Sequence, residues 1–288
     1  MPILLRTALG RYPHTEALRS GRLGSSAFTL VFEDINPVNR AFAPMVRELR
    51  FDVCEMAIGT FLQALAYDKP LVLLPVTVAA RFQESALICR TDSGLTGPDD
   101  LRGRRVGIRA YSQTTGLWLR GTLQDQFGIS PDAIEWVTFE DAHVSEYRDP
   151  PWATRAPQDA SLLGMLREGR LDAVIMGNDL PDDPTLRTVF PDPAAAAETF
   201  LQTHGFMPVN HLVCVPRQLA AQQPDAIVAL MRLFRSTLGD QTGLPIGRTA
   251  LTPAVALAVR HAAEQGLLPR PLTAADVWTG LPDDPVFG

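Results

Sequence analysis

Short apolar runs alternate along this chain with stretches whose apolar residues recur every three or four positions, and that alternation predicts an order of elements. Ile3 to Leu9 reads as a first strand ending at Gly10, "FTLVFEDI" as a second and "FDVCEMA" as a third. Helical spacing runs through "NPVNRAFAPMVREL" after Asn36 and through "GTFLQALAYD", and the continuous apolar run "PLVLLPVTV" adds a strand. Such βαβα order implies a largely parallel sheet with helices on its faces. A second series begins at "SALICR" and continues through "RRVGIRAY", the helix "TTGLWLRGTLQDQFG", the strand "IEWVTF" and "LLGMLREGRLDAVIMGND". The apolar strand "HLVCVPRQL" follows, and the remainder is helical with breaks at "GLPIGR" and "GLLPRPLT". Two α/β units therefore share one chain. Within the second series, after "IEWVTF", lies "EDAHVSEYRDPPWATRAPQDAS", polar, Pro-rich and without a steady period, which is expected to be a long loop, either a lid or a solvated insertion.

Composition narrows the function classes. With 288 residues, 46% hydrophobic and 20% charged, the chain can bury a large core. A net charge of −6 and the absence of any Lys/Arg run argue against a nucleic-acid footprint. Lys69 is the single lysine among 26 basic residues, so the cationic chemistry belongs to arginine, whose planar fork suits carboxylates. No stretch is long and apolar enough to span a bilayer. The N-terminal segment reads as a strand rather than a leader, so the expected location is cytoplasmic, or periplasmic if a leader has been removed. Cys54, Cys89 and Cys214 are odd in number and widely spaced, which indicates neither a disulfide framework nor a zinc knuckle. No histidine spacing suggests a metal, and no cofactor is expected.

The candidate chemistry sits where strands stop, since ligands of open α/β sheets bind at the carboxyl ends of strands, beside helix starts. In "RVGIRAYSQTTGLWLRG" the strand ends into Arg109, Tyr111, Ser112, Thr114 and Thr115. Ser112 is a plausible N-cap, which would leave the N–H groups and hydroxyls of Thr114 and Thr115 near an incoming anion; the same residues also make ordinary caps. Glu55 closes "FDVCE" in an otherwise apolar stretch, where it is either an acid perturbed by burial or the partner of a nearby arginine. Arg81 and Gln83 follow the "LLPVTVAA" strand, and Asn178 follows "DAVIMG", as a ligand contact or a turn residue. Asp34, beside Asn36 and Pro37, reads as a turn residue. His14, His143, His204 and His261 read as surface or loop residues, and Cys89 and Cys214, inside apolar strands, as buried, inert thiols.

Five segments, "FDVCEMA", "DLRGRRVGIRAYSQTTGLWLRG", "GRLDAVIMGND", "GFMPVNHLVCVPRQL" and "AAEQGLLPRPLTAADVW", occur in the order seen in the family of 4,5-dihydroxyphthalate decarboxylase and its relatives. The similarity covers nearly the whole chain. This resemblance implies the type II periplasmic-binding-protein fold, with two α/β lobes and the ligand held between them. It places crossovers near Glu84 and Pro208, giving one lobe from residues 1–84 with 209–288 and another from 85–208. It also brings His211 forward as a catalytic candidate beside Glu55, with Arg81, Arg109, Tyr111, Ser112, Thr114, Thr115 and Asn178 as substrate contacts.

The activity the resemblance implies is cofactor-independent decarboxylation of a hydroxylated aromatic acid. Such a reaction needs a carboxylate held in place, an acid for the ring carbon and help in deprotonating a phenol. Two departures stand out. Gln83-Glu84 occupies the place where the family tends to carry Arg-His. "AYSQTT" differs from a Glu-Tyr-Gln-Met-Thr-Ala pattern at its first, third, fourth and sixth positions. The other function the fold allows is a solute-binding protein for a small organic anion, feeding a transporter. In either case the expected partner is a small organic or aromatic carboxylate.

Overall fold

In the computed structural model, which describes residues 2–177, 180–285 and 287, the apolar runs become the strands β1 (Ile3–Ala8), β2 (Phe28–Phe32), β3 (Val53–Ala57), β4 (Leu71–Ala80), β5 (Leu87–Arg90), β6 (Arg105–Ile108), β7 (Glu135–Thr138), β8 (Ala153–Arg155), β9 (Ala173–Ile175), β10 (Leu186–Thr188) and β11 (Val209–Pro216). They form two sheets, ordered β2-β1-β3-β11-β4 and β10-β5-β9-β6-β7-β8. The chain divides accordingly. Unit one comprises Met1–Ala80, Val209–Val259 and Leu268–Gly288, and unit two Arg81–Pro208 and Arg260–Leu267.

Each sheet contains one strand that runs against its neighbours on both sides. In unit one, β1 pairs parallel with β2 and β3, while β11 lies antiparallel between β3 and β4. In unit two, β9, β6, β7 and β8 run parallel, and β5 lies antiparallel between β10 and β9. A reversed strand brings its first residues to the carboxyl ends of its neighbours, the end at which α/β sheets bind ligands. His211 is thereby set opposite Ala57 and Ala79, and the segment that leads into β5, Arg81 to Ala86, reaches the end of β9, where Leu87 faces Ile175.

Burial explains the sequence pattern. β3 is buried at all five positions, and the helix Ile58–Ala66 that follows it is buried throughout. β4 keeps Pro75 inside its run because it is an edge strand. The pairing with β11 skips that residue, passing from Thr77↔Leu212 to Leu74↔Val213, and the Pro75 carbonyl accepts instead from Gly247 N–H at 2.8 Å. Val53, Val72, Leu74, Val213 and Val215 then pack against Ile227, Leu230, Met231 and Phe234 of the helix Pro224–Thr242. In unit two, Ile88, Val137 and Val174 pack on Met165 and Leu166 of the helix Leu162–Arg167. That helix is capped by the Ser161 hydroxyl, which accepts from Gly164 N–H.

Three expectations change. The first boundary falls after Ala80 rather than at Glu84, and residues 260–267 join unit two because Arg260, His261, Glu264 and Gln265 bond to side chains of the helix Thr114–Phe127. The polar segment after Phe139 is packed, with Val144, Tyr147 and Pro150 buried, and it contributes β8 as an edge strand parallel to β7. Ser112 is not the N-cap. The chain turns helical one residue later, with Gln113 extended (φ −60°, ψ 134°) as the cap and Thr114 first in the helix.

Candidate functional site

In unit one the loop after β1 folds back on itself. The Thr15 hydroxyl accepts from Tyr12 N–H at 3.0 Å and donates to the Gly10 carbonyl at 2.9 Å, which fixes Tyr12 over Gly10. A Cβ on Gly10 would stand 2.5 Å from the Tyr12 ring, so only glycine allows this approach. β3 delivers Glu55 beneath the same loop. Its carboxylate accepts from Gly10 N–H at 2.8 Å on Oε2, and from the Tyr12 hydroxyl at 2.6 Å on Oε1. His211 Nδ1 lies 2.6 Å from that same Oε1. Glu55 is wholly buried, whereas the His211 side chain is 23% exposed and edge-on to Phe42.

This network assigns the protons. A carboxylate already receiving two donors takes His211 Nδ1–H as a third, which turns Nε2 outward with no partner among the described residues. The Tyr12 phenol is held well above its ordinary range, first by burial and then by the charge of Glu55 and the hydrogen bond to it, so it stays a donor. His14 stacks flat on Tyr12, with ring centroids 5.1 Å apart, and donates from Nε2 to the Val78 carbonyl at 3.0 Å.

Of the two readings open for Glu55, the arginine partner is absent among the described residues; the carboxylate's partners there are Tyr12, Gly10 and His211. The local pattern did not reveal Tyr12 or His14, because their partners lie far along the chain. The signal was nonetheless present: "GRYPHT" follows a strand end, as Glu55 does, and places a phenol and an imidazole there.

In unit two, Arg81 donates to the Thr115 hydroxyl at 3.2 Å and to the Gly177 carbonyl at 3.4 Å, with no carboxylate partner among the described residues. Burial lowers its pKa below the usual guanidinium value, and no neighbouring acid offsets it. Ser112, Thr114 and Thr115 are buried around the start of the helix Thr114–Phe127, where the first backbone N–H groups have no intrahelical acceptor. An arginine without a counter-ion beside a helix start is a carboxylate-binding arrangement.

The other predicted contacts are placed differently. Arg109 faces Glu140 at 3.5 Å, and its backbone carbonyl accepts from Phe139 and Glu140 N–H. Tyr111 is fully buried, with its ring under the Arg120 guanidinium at 4.0 Å and its hydroxyl accepting from Trp152 Nε1–H at 2.8 Å. It supports the loop from inside. Asn178 lies outside the described residues. Gln83 donates to the Arg81 carbonyl at 2.6 Å, and Glu84 is buried, its carboxyl pushed up by desolvation against the pull of the N–H groups of Glu84 and Gln83. His261 is not a surface residue: its side chain is 1% exposed, with Nε2 3.0 Å from Asp125 Oδ2. Cys54, Cys89 and Cys214 are buried thiols. Among the described residues no group of three or more His, Cys, Asp and Glu side chains is gathered as metal ligands would be.

Comparison with known proteins bears on what these clusters do. The 4,5-dihydroxyphthalate decarboxylase of Comamonas testosteroni is 25% identical over 294 residues, covering 96% of this chain and 86% of that protein. The enzyme of the same description from Pseudomonas putida is 27% identical over 206 residues, 67% of this chain and 79% of that protein. This chain is similar to the 4,5-dihydroxyphthalate decarboxylases. The NMT1/THI5 like family matches residues 44–148, the stretch of this chain that holds Glu55, Arg81 and the helix start at Thr114. Among solved structures, the periplasmic aliphatic sulphonate binding protein of Escherichia coli matches with a TM-score of 0.51 at 17% identity, over 98% of this chain and 83% of that one. A periplasmic sulfonate-binding protein from Methylobacillus flagellatus matches with a TM-score of 0.55 at 12% identity, over 96% and 91%. This chain thus shares the fold of periplasmic binding proteins, an α/β architecture with two mixed sheets, the second mostly parallel.

Proposed function

We propose that this chain is a cofactor-independent decarboxylase of a hydroxylated aromatic carboxylic acid. The observation that carries the reading is the Glu55–His211 pair, a buried carboxylate that holds an imidazole by Nδ1 and leaves Nε2 outward. Decarboxylation of such an acid replaces a C–C bond to CO2 with a C–H bond at the same ring carbon. A hydroxyl conjugated with that carbon supplies electrons as it loses its proton, so the carbon becomes basic enough to be protonated. Protonated His211 gives Nε2–H to it, the C–CO2 bond breaks, and its electrons restore the aromatic ring. Glu55 stabilises the protonated imidazole and fixes its orientation. Because both its oxygens are engaged and buried, it acts through His211 and is a positioning residue. In unit two, Arg81 beside the helix start at Thr114 is the arrangement suited to a carboxylate, which would supply the counter-ion Arg81 otherwise lacks.

The names of the two curated relatives support an aromatic dicarboxylic substrate class. The buried Gln83-Glu84 pair, in place of Arg-His, favours a different pattern of ring substituents.

A panel of hydroxylated benzoates and phthalates tests the reading, with CO2 and product measured beside thermal shifts. At least one member is expected to release CO2. Stabilisation of the fold by members of the panel with turnover of none would overturn the enzyme and leave a binding protein. With the best substrate, Arg81→Met is expected to raise KM about 10- to 100-fold, the loss of one charge-assisted hydrogen-bonded contact, with a smaller change in kcat.

A further inference from the structure

The Tyr12 phenol lies between two imidazoles whose tautomers are fixed in opposite senses. His211 is held by Nδ1 on Glu55 Oε1, the oxygen that also receives the Tyr12 hydroxyl at 2.6 Å. His14 is stacked on the Tyr12 ring with planes 4° apart and is held by Nε2, which donates to the Val78 carbonyl at 3.0 Å. A carbonyl only accepts, so His14 Nε2 carries a proton and Nδ1 is the nitrogen left to take one up. His14 Nδ1 has no partner among the described residues, and the ring is only half-buried. All of these groups belong to unit one.

A decarboxylation of this class moves two protons at different atoms, one onto the ring carbon and one off the conjugated hydroxyl. One histidine does not serve both at once. We infer that His14 is a second catalytic residue, whose Nδ1 takes the proton of the substrate hydroxyl while His211 Nε2–H protonates the ring carbon. The inference rests on the decarboxylase reading. The O–H bond breaks toward His14 Nδ1, and the freed pair forms the C=O of a dearomatised ring as the C–H bond forms from His211. The C–CO2 bond then breaks, CO2 leaves, and the returning electrons make a phenoxide that recovers its proton from His14 Nδ1–H. His211 is left short of one proton, which it regains from water at its exposed edge. The sum is one proton consumed for each CO2 released. Tyr12, with its phenol kept as a donor, positions both rings.

His14→Gln tests this, because the glutamine amide can still donate to Val78 while offering no base at the Nδ1 position. His14→Asn serves as the second variant should the first fold poorly. Both are compared with the wild type on a series of substrates at one pH, chosen so that the ring hydroxyl ranges from un-ionised to already ionised. For un-ionised substrates kcat is expected to fall about 100-fold or more, and for pre-ionised ones less than about tenfold, with substrate binding by calorimetry little changed. An equal loss across the series, or none, would overturn the role of His14 while the wild type still turned over. Absence of CO2 release by the wild type on every substrate would overturn the decarboxylase reading itself, and the role of His14 with it.

Discussion

A buried carboxylate bonded to a half-exposed imidazole has consequences that single substitutions can separate. His211→Ala removes the proton donor, so kcat is expected to fall by about 10²- to 10⁴-fold with the circular dichroism spectrum unchanged, since the ring lies at the amino end of β11 and fills no core position. Glu55→Gln is expected to lower kcat by a smaller factor, because Gly10 N–H, the Tyr12 hydroxyl and His211 lose the anion they share. The decisive measurement is the double variant, which should be no slower than His211→Ala alone, as befits two residues acting as one unit. Multiplicative losses would show that Glu55 has a task of its own. Unchanged turnover in His211→Ala would remove that residue from the chemistry. Glu55 was readable in the chain because a charged residue in "VCEMA" interrupts an apolar run, whereas His211, opening "HLVCV", was brought forward by the family resemblance. Tyr12 and His14 interrupt nothing, and only the pairing of β1 with β3 brings their loop onto Glu55.

At the scale of the element, the helix Thr114–Phe127 shows how a correctly placed helix can carry unforeseen partners. Its span and its end at Gly128, in the left-handed region at φ 62°, agree with the pattern of the chain. Its cap was displaced from Ser112 because "YSQTTG" offers several polar residues able to cap, and backbone geometry rather than side-chain type selects Gln113. Two residues in the middle could not be understood locally. Arg120 is fully buried, stacked on Tyr111 and bonded to the Tyr111 carbonyl at 2.6 Å and to Gln265 Oε1 at 2.8 Å; burial lowers its pKa. It ties the loop before the helix to the segment 260–267. Gly121 has the His261 ring laid against it, so that an added Cβ would stand 2.1 Å from Cε1 and Nδ1. Gly121→Ala is therefore expected to destabilise the protein by about 1–3 kcal/mol, in spite of alanine's better helix propensity, because a packed ring has to move. Urea unfolding measures this. Adding His261→Ala should relieve part of the loss, and strict additivity of the two changes would contradict the contact.

At the scale of the molecule, two units and two reversed strands follow from a chain that crosses out of unit one after β4 and returns at β11. The first passage, which runs from the end of β4 to the start of β11, was placed near Glu84 and Pro208 by the family resemblance. The second was not, because residues 260–267 enter unit two within the helix Arg248–Glu264, whose spacing runs on without a break. What assigns them is electrostatic. Asp125 receives Arg260 at 2.5 Å and His261 at 3.0 Å, and Arg260 also reaches Glu264 at 3.2 Å. Burial alone would raise the Asp125 carboxyl, but the hydrogen bonds from His261 and Arg260 and their charges outweigh it and hold the group below the ordinary carboxylate range. A carboxyl depressed in the folded state stabilises the fold at every pH above its unfolded value of about 3.9, and that contribution fades as pH falls toward the folded value. Protonation then leaves Arg260 and the buried His261 ring facing a neutral acid. Since Arg260 is 43% exposed, the cluster is worth only about 1 kcal/mol, or about 2–4 °C in a chain of this size. Melting curves of the wild type and Asp125→Asn should differ by that amount at pH 7 and converge as pH falls below about 4 toward the folded value, with the wild type falling more steeply. Parallel curves across that range would mean that Asp125 does not hold the second passage in place.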